Sequence, residues 1–435
     1  MHTTSINRVL TLAGFAPACK PGHANQARRR VAAVILRVSA SWLACGLAAT
    51  GMATAQGAFA QFCSALRRKG VLALCLALCM VGLGLSGSAQ GPPTIVTFDA
   101  PGAGTSAGQG TTALFNDPAG AIFGFYLDAS NVDHGFLRAR DGRFMTIDAP
   151  GAGTGASQGT LVAYGSSRVG AITGYYIDAS GVYHGFVRDC DGRLTTFDVP
   201  AAGTGASQGT ITYGINPAGA ITGYYIDAST VDHGFVRAPD GRFTTFDVPD
   251  AGTGVYQGTI AEGINPVGET AGYYFDAGYV VHGFVRAPDG AITTFDAPGA
   301  GTGSDQGTLG EGINPAGAIT GFYIDASNMF HGFLRAPDGV IATCNARGAG
   351  TGSGQGTIGS DLNPEAAVAG YYTDANNANH GILRTPDGRI ATFNVPGAGT
   401  GAGQGTYGVT VDPAGDVIGT YLDASGVSHG FLRTP

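Results

Sequence analysis

The sequence predicts an all-β protein: a seven-bladed β-propeller with four antiparallel strands per blade and a ring closed by the N-terminal strand. Three observations lead to this prediction. A unit of about 49 residues recurs along the chain, each copy reads as four short strands, and a lone strand precedes the first copy while the last copy lacks its fourth strand.

The repeat is marked by the triplet His-Gly-Phe, which reads His-Gly-Ile in the sixth copy. The spacing is 50 residues once and 49 thereafter. A period of this length is typical of propellers and solenoids. Seven copies therefore cover residues 90–435, and their histidines are His134, His184, His233, His282, His331, His380 and His429.

One copy shows how the four strands arise. Strand A is 209–215, and the turn Asn-Pro-Ala-Gly that follows has Pro and Gly where a tight turn favours them. Strands B, C and D follow at 220–227, 233–237 and 242–248. Strand B has apolar residues on both faces, which indicates a sheet that is buried on both sides.

The two ends of the repeat array predict closure. The body opens with a single D-type strand, 94–99, and ends after a C strand, 429–433. The first strand can complete the last unit, which removes an exposed sheet edge. An open β-solenoid is the alternative, but it would not need a terminal unit split in this way.

Residues 1–89 have the composition of a leader. Arg67, Arg68 and Lys69 precede an apolar run at 71–85 and small residues up to Ala89, as in a Sec signal peptide at 67–89. The run is short for a membrane span. We expect residues 1–60 to be a misassigned extension, and the protein to be secreted to the periplasm or the exterior.

The distribution of charge along the chain limits the classes of partner that the protein is expected to bind. The first 90 residues hold nine Lys and Arg and no acid, whereas the rest hold 14 Arg and all 31 Asp and Glu, a net charge of −17. Such an acidic body repels nucleic acid and anionic lipid. We expect a monomer with a glycan or protein ligand and no cofactor; calcium is the alternative, although no EF-hand loop is present.

Each repeat histidine follows an Asp across the B–C turn. If Asp178 opposes His184, then Tyr176 opposes Phe186 and Gly174 opposes Arg188. A His beside an Asp could be catalytic or bind metal. Because seven identical copies exceed what one active site needs, we interpret all seven histidines as structural.

Function in a repeated ring is expected where the copies differ. One strand-A position reads Leu114, Tyr164, Tyr213, Glu262, Glu311, Ser360 and Val409. If strand A lines the channel, then Tyr164, Tyr213, Glu262 and Glu311 are candidate binding residues. The Glu pair could instead perform acid–base catalysis as a hydrolase or lyase. No catalytic residue is assigned, and an inert surface protein is the third possibility.

The residue before each repeat histidine also varies, which suggests exposure on the face formed by the B–C and D–A loops. This face is the first candidate surface for a secreted binding module. Its variable residues are Asp133, Tyr183, Asp232, Val281, Phe330, Asn379 and Ser428.

The pattern Gly-Ile-Asn-Pro-x-Gly, Thr-Gly-Tyr-Tyr-x-Asp, His-Gly-Phe-x-Arg and Asp-Gly resembles the bacterial extracellular repeats named HAF, after His-Ala-Phe. The resemblance spans about residues 94–435, with Gly135, Gly185 and their equivalents at the Ala of the name. It implies export and a repeat fold, and it brings no established activity or catalytic residues.

Overall fold

The computed structural model describes residues 93–117, 119–163, 165 and 170–435. These residues form 28 β-strands and no helix, so the all-β prediction is confirmed. Within them, no helical segment is long and apolar enough to cross a membrane. The predicted leader, residues 1–89, lies outside the described residues.

The strands recur in the order A, B, C, D. The A strands are β2 (Gly110–Asn116), β6 (Gly159–Val162), β10 (Gly209–Ile215), β14 (Gly258–Ile264), β18 (Gly307–Ile313), β22 (Gly356–Leu362) and β26 (Gly405–Val411). The B strands are β3 (Ile122–Leu127), β7 (Ile172–Ile177), β11 (Ile221–Ile226), β15 (Thr270–Phe275), β19 (Ile319–Ile324), β23 (Val368–Thr373) and β27 (Val417–Leu422). The C strands are β4 (Asp133–Arg138), β8 (Tyr183–Arg188), β12 (Asp232–Arg237), β16 (Val281–Arg286), β20 (Phe330–Arg335), β24 (Asn379–Arg384) and β28 (Ser428–Thr434). The D strands are β5 (Phe144–Ile147), β9 (Leu194–Phe197), β13 (Phe243–Phe246), β17 (Ile292–Phe295), β21 (Ile341–Cys344), β25 (Ile390–Phe393) and β1 (Thr94–Phe98).

Each run of A, B, C and D is one antiparallel unit, and we number the units 1 to 7 from β2 onwards. In unit 3, β10 pairs with β11, β11 with β12, and β12 with β13. Strand A of this unit has the bounds predicted from sequence, and strands B and D are shorter at both ends. The predicted turn is present, with Gly219 at a φ of 88°, in the left-handed region that favours glycine.

The ring is closed by the N-terminal strand, as predicted. All five residues of β1 pair antiparallel with β28, from Thr94 opposite Thr434 to Phe98 opposite Gly430. Gly110 at the start of β2 also forms a parallel bridge with Ser428. Equivalent bridges link each A strand to the preceding C strand, as Gly258 does with Asp232, so the strands form one continuous hydrogen-bonded sheet.

A buried threonine joins each D strand to the next unit. The second residue of every A strand is a Thr with no exposed surface, and its Oγ1 accepts a hydrogen bond of 2.8–2.9 Å from the backbone N–H just after the preceding D strand. A buried N–H without a partner costs about 1–3 kcal/mol, so these bonds favour one spacing between units. The threonines are Thr111, Thr160, Thr210, Thr259, Thr308, Thr357 and Thr406.

The core lies between consecutive units. The B strands are buried on both faces, as expected from their composition; in β11 only Tyr224 is less than fully buried. The third residue of each His-Gly-Phe triplet, such as Phe235, is at most 1% exposed. Burying a Phe side chain contributes about 1.5–3 kcal/mol, so the repeated triplet supplies much of the apolar packing.

The Gly of the His-Gly-Phe triplet has a steric reason. A Cβ at Gly234 would lie 2.7 Å from the ring of Phe246 on strand D, and one at Gly283 would lie 2.5 Å from Phe295. No real Cβ contact is that short, so an Ala would force the D-strand Phe to move. The packing of strand D therefore accounts for Gly as the second residue of the triplet.

Candidate functional site

The variable strand-A position is a β-bulge. In β10 the pairing with β11 skips Tyr213, and in β14 the pairing with β15 skips Glu262. The same break occurs in the other A strands that the structure describes in full, whereas Tyr164 lies outside the described residues. A bulge redirects its side chain and is frequent beside active sites. The bulged residues are Leu114, Tyr213, Glu262, Glu311, Ser360 and Val409.

The bulges lie at one end of a central cavity. Strands β10, β14, β18, β22, β26 and β2 contact one another in that order, and the C-terminal halves of the A strands enclose about 190 Å³. Glu262, Glu311 and Ser360 line this cavity together with the next residue of each strand. The cavity is therefore at the A–B turn end of the strands, opposite the loop face on which a binding surface was expected.

Glu262 and Glu311 face the cavity as neighbours on adjacent strands. Among the described residues neither carboxyl has a hydrogen-bond partner. Burial, with the Glu311 charge, raises the pKa of Glu262 well above its ordinary value, and burial, with Asp361, raises the pKa of Glu311 to about 8. Both carboxyls therefore favour the protonated form more than an exposed Glu does, and in that form each can donate and accept a hydrogen bond.

Asp361 is a third acid that the sequence reasoning missed. It follows the bulge of unit 6, and its carboxylate accepts a hydrogen bond from the Thr410 hydroxyl of unit 7. Burial raises the pKa of Asp361 to about 6, against the lowering effect of that bond. A comparison of the repeats could have found it, because the residue after the bulge is Gly214, Gly263 and Gly312 in units 3 to 5 but Asp361 in unit 6.

Of the two candidate tyrosines, Tyr213 lies in the described part of the chain, and it is not among the residues that line the cavity. Tyr213 is 7% exposed and packs in an apolar cluster with Ile211 and Ile260. Its ring stacks on Tyr224 with 5.7 Å between centroids. Burial raises the pKa of Tyr213 well above its usual range, and the nearby Glu262 charge adds to this. Tyr213 therefore supports the wall behind Glu262.

Five of the seven repeat histidines lie between two carboxylates, as His233 shows. The Nδ1 of His233 is 2.8 Å from Asp247 after strand D, and its Nε2 is 3.7 Å from Asp227 after strand B. The imidazole stacks on Tyr225 with 4.9 Å between centroids. Units 5 and 6 have Asn345 and Asn394 at the D-strand position.

The predicted register of the B–C hairpin was wrong by one pair. His184 opposes Tyr176 instead of Asp178, Gly174 opposes Phe186, and Arg188 opposes Ile172. The aromatic partner of His184 is therefore Tyr176, and Asp178 instead holds the turn by accepting bonds from the Ser180 and Val182 amides. The D-strand acid was missed because it is 14 residues further along the chain.

The expected exposure of the residue before each histidine was also wrong. Val281 is 2% exposed, Asp232 5% and Asn379 6%. Each begins a C strand and bridges to the first Gly of the next A strand, so its side chain enters the junction between units. Variation here reflects different packing at each junction, and burial raises the pKa of Asp232 to about 7.

We expect His233→Ala to lower stability by about 1 kcal/mol, the scale of one aromatic pair and a partly exposed ion pair. The bond to Asp247 raises the pKa of His233, so the charged contribution is full below the pKa of an unfolded histidine and is lost as pH rises through the folded value. Urea denaturation at pH 5.5 and pH 8 measures this. A variant that loses ligand binding without losing stability would contradict the structural role.

A metal centre is not formed by these groups. Among residues 93–435 that the structure describes, no three His, Cys, Asp or Glu side chains are placed to hold a metal ion.

No family model and none of the curated proteins matches the chain. Among solved structures, it is similar to the BP39L lectin from Burkholderia pseudomallei at 9% identity and a TM-score of 0.46, with 72% of this chain and 95% of that chain covered. It is similar to a variant of the Aleuria aurantia lectin in complex with Fucα1-6GlcNAc at 11% and 0.37, covering 63% and 91%. It is also similar to TolB from Acinetobacter baumannii at 10% and 0.37, covering 79% and 80%.

Proposed function

We propose that this protein is a binding module whose central cavity holds one small hydroxylated ligand, of the size of a single sugar ring. The observation that carries the proposal is the pair of unpartnered carboxyls, Glu262 and Glu311, directed into the cavity. Protonated carboxyls offer a donor and an acceptor each, which is what a hydroxyl group needs from its partner.

The rest of the cavity suits such a ligand. Ser360, Asp361 and Thr410 add polar groups to the cavity lining beside the two Glu residues, and Phe115 and Ile215 add apolar ones. Ligand sites commonly combine an apolar lining with a few convergent polar groups. The volume of about 190 Å³ is below the roughly 300–1,000 Å³ of drug-sized sites, which favours a small molecule over a chain.

We further propose that the ring is a seven-bladed β-propeller, and that the protein is exported as an HAF-type repeat protein. Seven antiparallel units of four strands, with the A strands innermost, support the first proposal. The signal-like segment at 67–89 and the tandem His-Gly-Phe triplets support the second.

We expect isothermal titration with a monosaccharide panel to find a ligand that binds the natural protein and binds at least about tenfold more weakly to Glu262→Ser plus Glu311→Ser. Both changes introduce the residue of unit 6, Ser360, so the fold tolerates them. Glu365→Gln, on an exposed turn, is the matched control. Unchanged affinity in the double variant would contradict the proposed cavity site and would favour binding on the loop face instead.

The second candidate is an enzyme, a hydrolase or lyase. It is favoured by acids whose pKa values are displaced unequally: burial raises the pKa of Glu262 well above its ordinary value, and it raises the pKa of Asp361 to about 6. Such a difference distinguishes a general acid from a general base. Turnover of any ligand found in the titration, abolished in Glu262→Gln, would select this candidate; binding without turnover would reject it.

A further inference from the structure

A second cavity lies between units 4 and 5, and none of the proposals above uses it. It encloses about 260 Å³ and is bordered by Glu269, Ala287, Ala291, Thr293, Arg335 and Pro337. These residues come from the A–B and C–D turns and the adjoining strand ends of two units. The cavity is thus a groove between units, separate from the central one.

Arg335 gives this groove a cation that, within the described residues, has no ion pair or hydrogen bond, although Asp338 of the following turn acts on its charge without pairing with it. The side chain is 9% exposed, and its guanidinium carbon lies 4.8 Å from the centre of the Phe295 ring. Its Nε is buried without a hydrogen-bond acceptor, and among the described residues no ion pair or hydrogen bond involves the rest of the guanidinium. A planar guanidinium held on an aromatic ring is oriented for two parallel bonds to a carboxylate.

Glu269 gives the same groove an anion. One carboxylate oxygen accepts a bond of 2.6 Å from Asn265 Nδ2, which holds the side chain in place and leaves the other oxygen available. Within the described structure Glu269 and Arg335 do not form an ion pair with each other, although both border the cavity. The two opposite charges are therefore held apart across a space.

Comparison with the other units shows that this arrangement is particular to one groove. The position of Glu269 is Ala in five units and Asp416 in unit 7. In the equivalent groove between units 7 and 1, Asp416 lies near Arg140, which acts on its charge. In the groove between units 4 and 5, the residue equivalent to Arg140 is Pro337, which has no charge.

The start of strand D in unit 4 has a small residue at the border of this groove. Ala291, at the start of strand D in unit 4, stands where four other units have an Arg. Those arginines include Arg143 and Arg242, which pair with Asp141 and Asp240 in their own turns. The groove between units 4 and 5 thus has an acid that most other units lack, and it has no Arg at the two positions equivalent to Arg140 and Arg143, so Arg335 is the cation that borders it.

We propose that this groove binds the zwitterion of a free amino acid, with the carboxylate on Arg335 and the ammonium on Glu269. The apolar residues Ala287 and Pro337 would contact its side chain. A zwitterion satisfies both charges at once, whereas a simple anion or cation would leave one of them unpaired. The volume of about 260 Å³ limits the ligand to a small molecule.

The test uses L-alanine and two analogues, N-acetyl-L-alanine without the ammonium and L-alaninamide without the carboxylate. In saturation-transfer NMR with the complete protein, we expect saturable binding of L-alanine. Each analogue should bind about tenfold or more weakly, the scale of one lost charge-assisted hydrogen bond. Equal binding of all three, or no saturable binding of L-alanine at tens of millimolar, would overturn the proposal.

Two variants locate the site. Glu269→Ala introduces the residue of five other units, so the fold is expected to persist, which a melting curve checks. It should lower L-alanine affinity to that of the acetylated analogue and leave the analogue's own affinity unchanged. Asp416→Ala, the equivalent change between units 7 and 1, should leave both affinities unchanged. Loss of L-alanine binding in Asp416→Ala but not in Glu269→Ala would refute the assignment, whatever the central cavity binds.

Discussion

Removal of residues 91–100 is expected to lower the melting temperature by about 10 °C or more, or to leave the protein insoluble. The deletion takes away β1, the D strand of unit 7, whose five residues all pair with β28. It exposes β28 as a long sheet edge, and such edges pair with other chains.

The contacts of β1 explain the size of the effect. Phe98 is 9% exposed, and its ring has Arg138 of unit 1 above it at 4.7 Å. Truncating a buried Phe costs about 3–5 kcal/mol, a large part of the 5–15 kcal/mol by which most domains are stable. The Ala100 N–H to Thr111 bond and the Asp99 to His429 contact, at 2.8 and 2.9 Å, would also be lost.

Two controls separate ring closure from loss of the N-terminus as such. A chain that begins at residue 90 keeps β1 and should be as stable as the longer chain. A synthetic peptide of residues 91–100, added to the chain that begins at 101, should restore part of the melting temperature by adding a strand to the β28 edge. If both chains melt alike, closure by β1 does not stabilise the ring.

The repeat made much of this architecture predictable. A fixed period, Pro-Gly turns and apolar residues on both faces of strand B determine the strand order without knowledge of the fold. Closure followed from the lone strand at 94–99 and the missing D strand after β28. These features are local or periodic, so each of them can be compared across seven repeats of one chain.

The details of the candidate site could not be predicted because they depend on strand register within a unit and on contacts between units. The bulge that redirects Glu262 is a mismatch in the pairing of β14 with β15, which residue types do not reveal. The stacking of Tyr176 on His184 required the hairpin register, and the burial of Val281 required the neighbouring A strand. Variation among copies pointed to Glu262 and Glu311, which line the cavity, but also to Val281, which is buried.

The stability of the ring is expected to fall as pH rises from about 4.5 to about 8. Glu311 has an ordinary pKa of 4.5 and a folded pKa of about 8, and burial raises the pKa of Glu262 in the same direction. Between those values the folded state binds more protons than the unfolded state, so raising the pH favours unfolding. At about 1.4 kcal/mol per pKa unit, the loss amounts to several kcal/mol.

Glu262→Gln plus Glu311→Gln removes both ionisations and preserves side-chain shape. We therefore expect the double variant to be more stable than the natural protein at pH 8.5 and similar to it at pH 4.5, as measured by urea denaturation across that range. A shallower slope will remain, because burial also raises the pKa of Asp361 to about 6 and of Asp232 to about 7. Glu365→Gln should follow the natural protein at every pH, and parallel curves for the double variant would show that the cavity carboxyls do not titrate as described.

The same titration links stability to ligand binding. If Glu262 and Glu311 hold a neutral hydroxylated ligand as protonated acids, its affinity should fall in the pH range in which the ring is destabilised, because ionisation removes both donors. A cationic ligand would behave in the opposite way, since it binds the ionised carboxyls and would lower their pKa values. Affinity that rises between pH 6 and pH 9 would thus contradict a hydroxylated ligand and identify a cation, while leaving the cavity as the site.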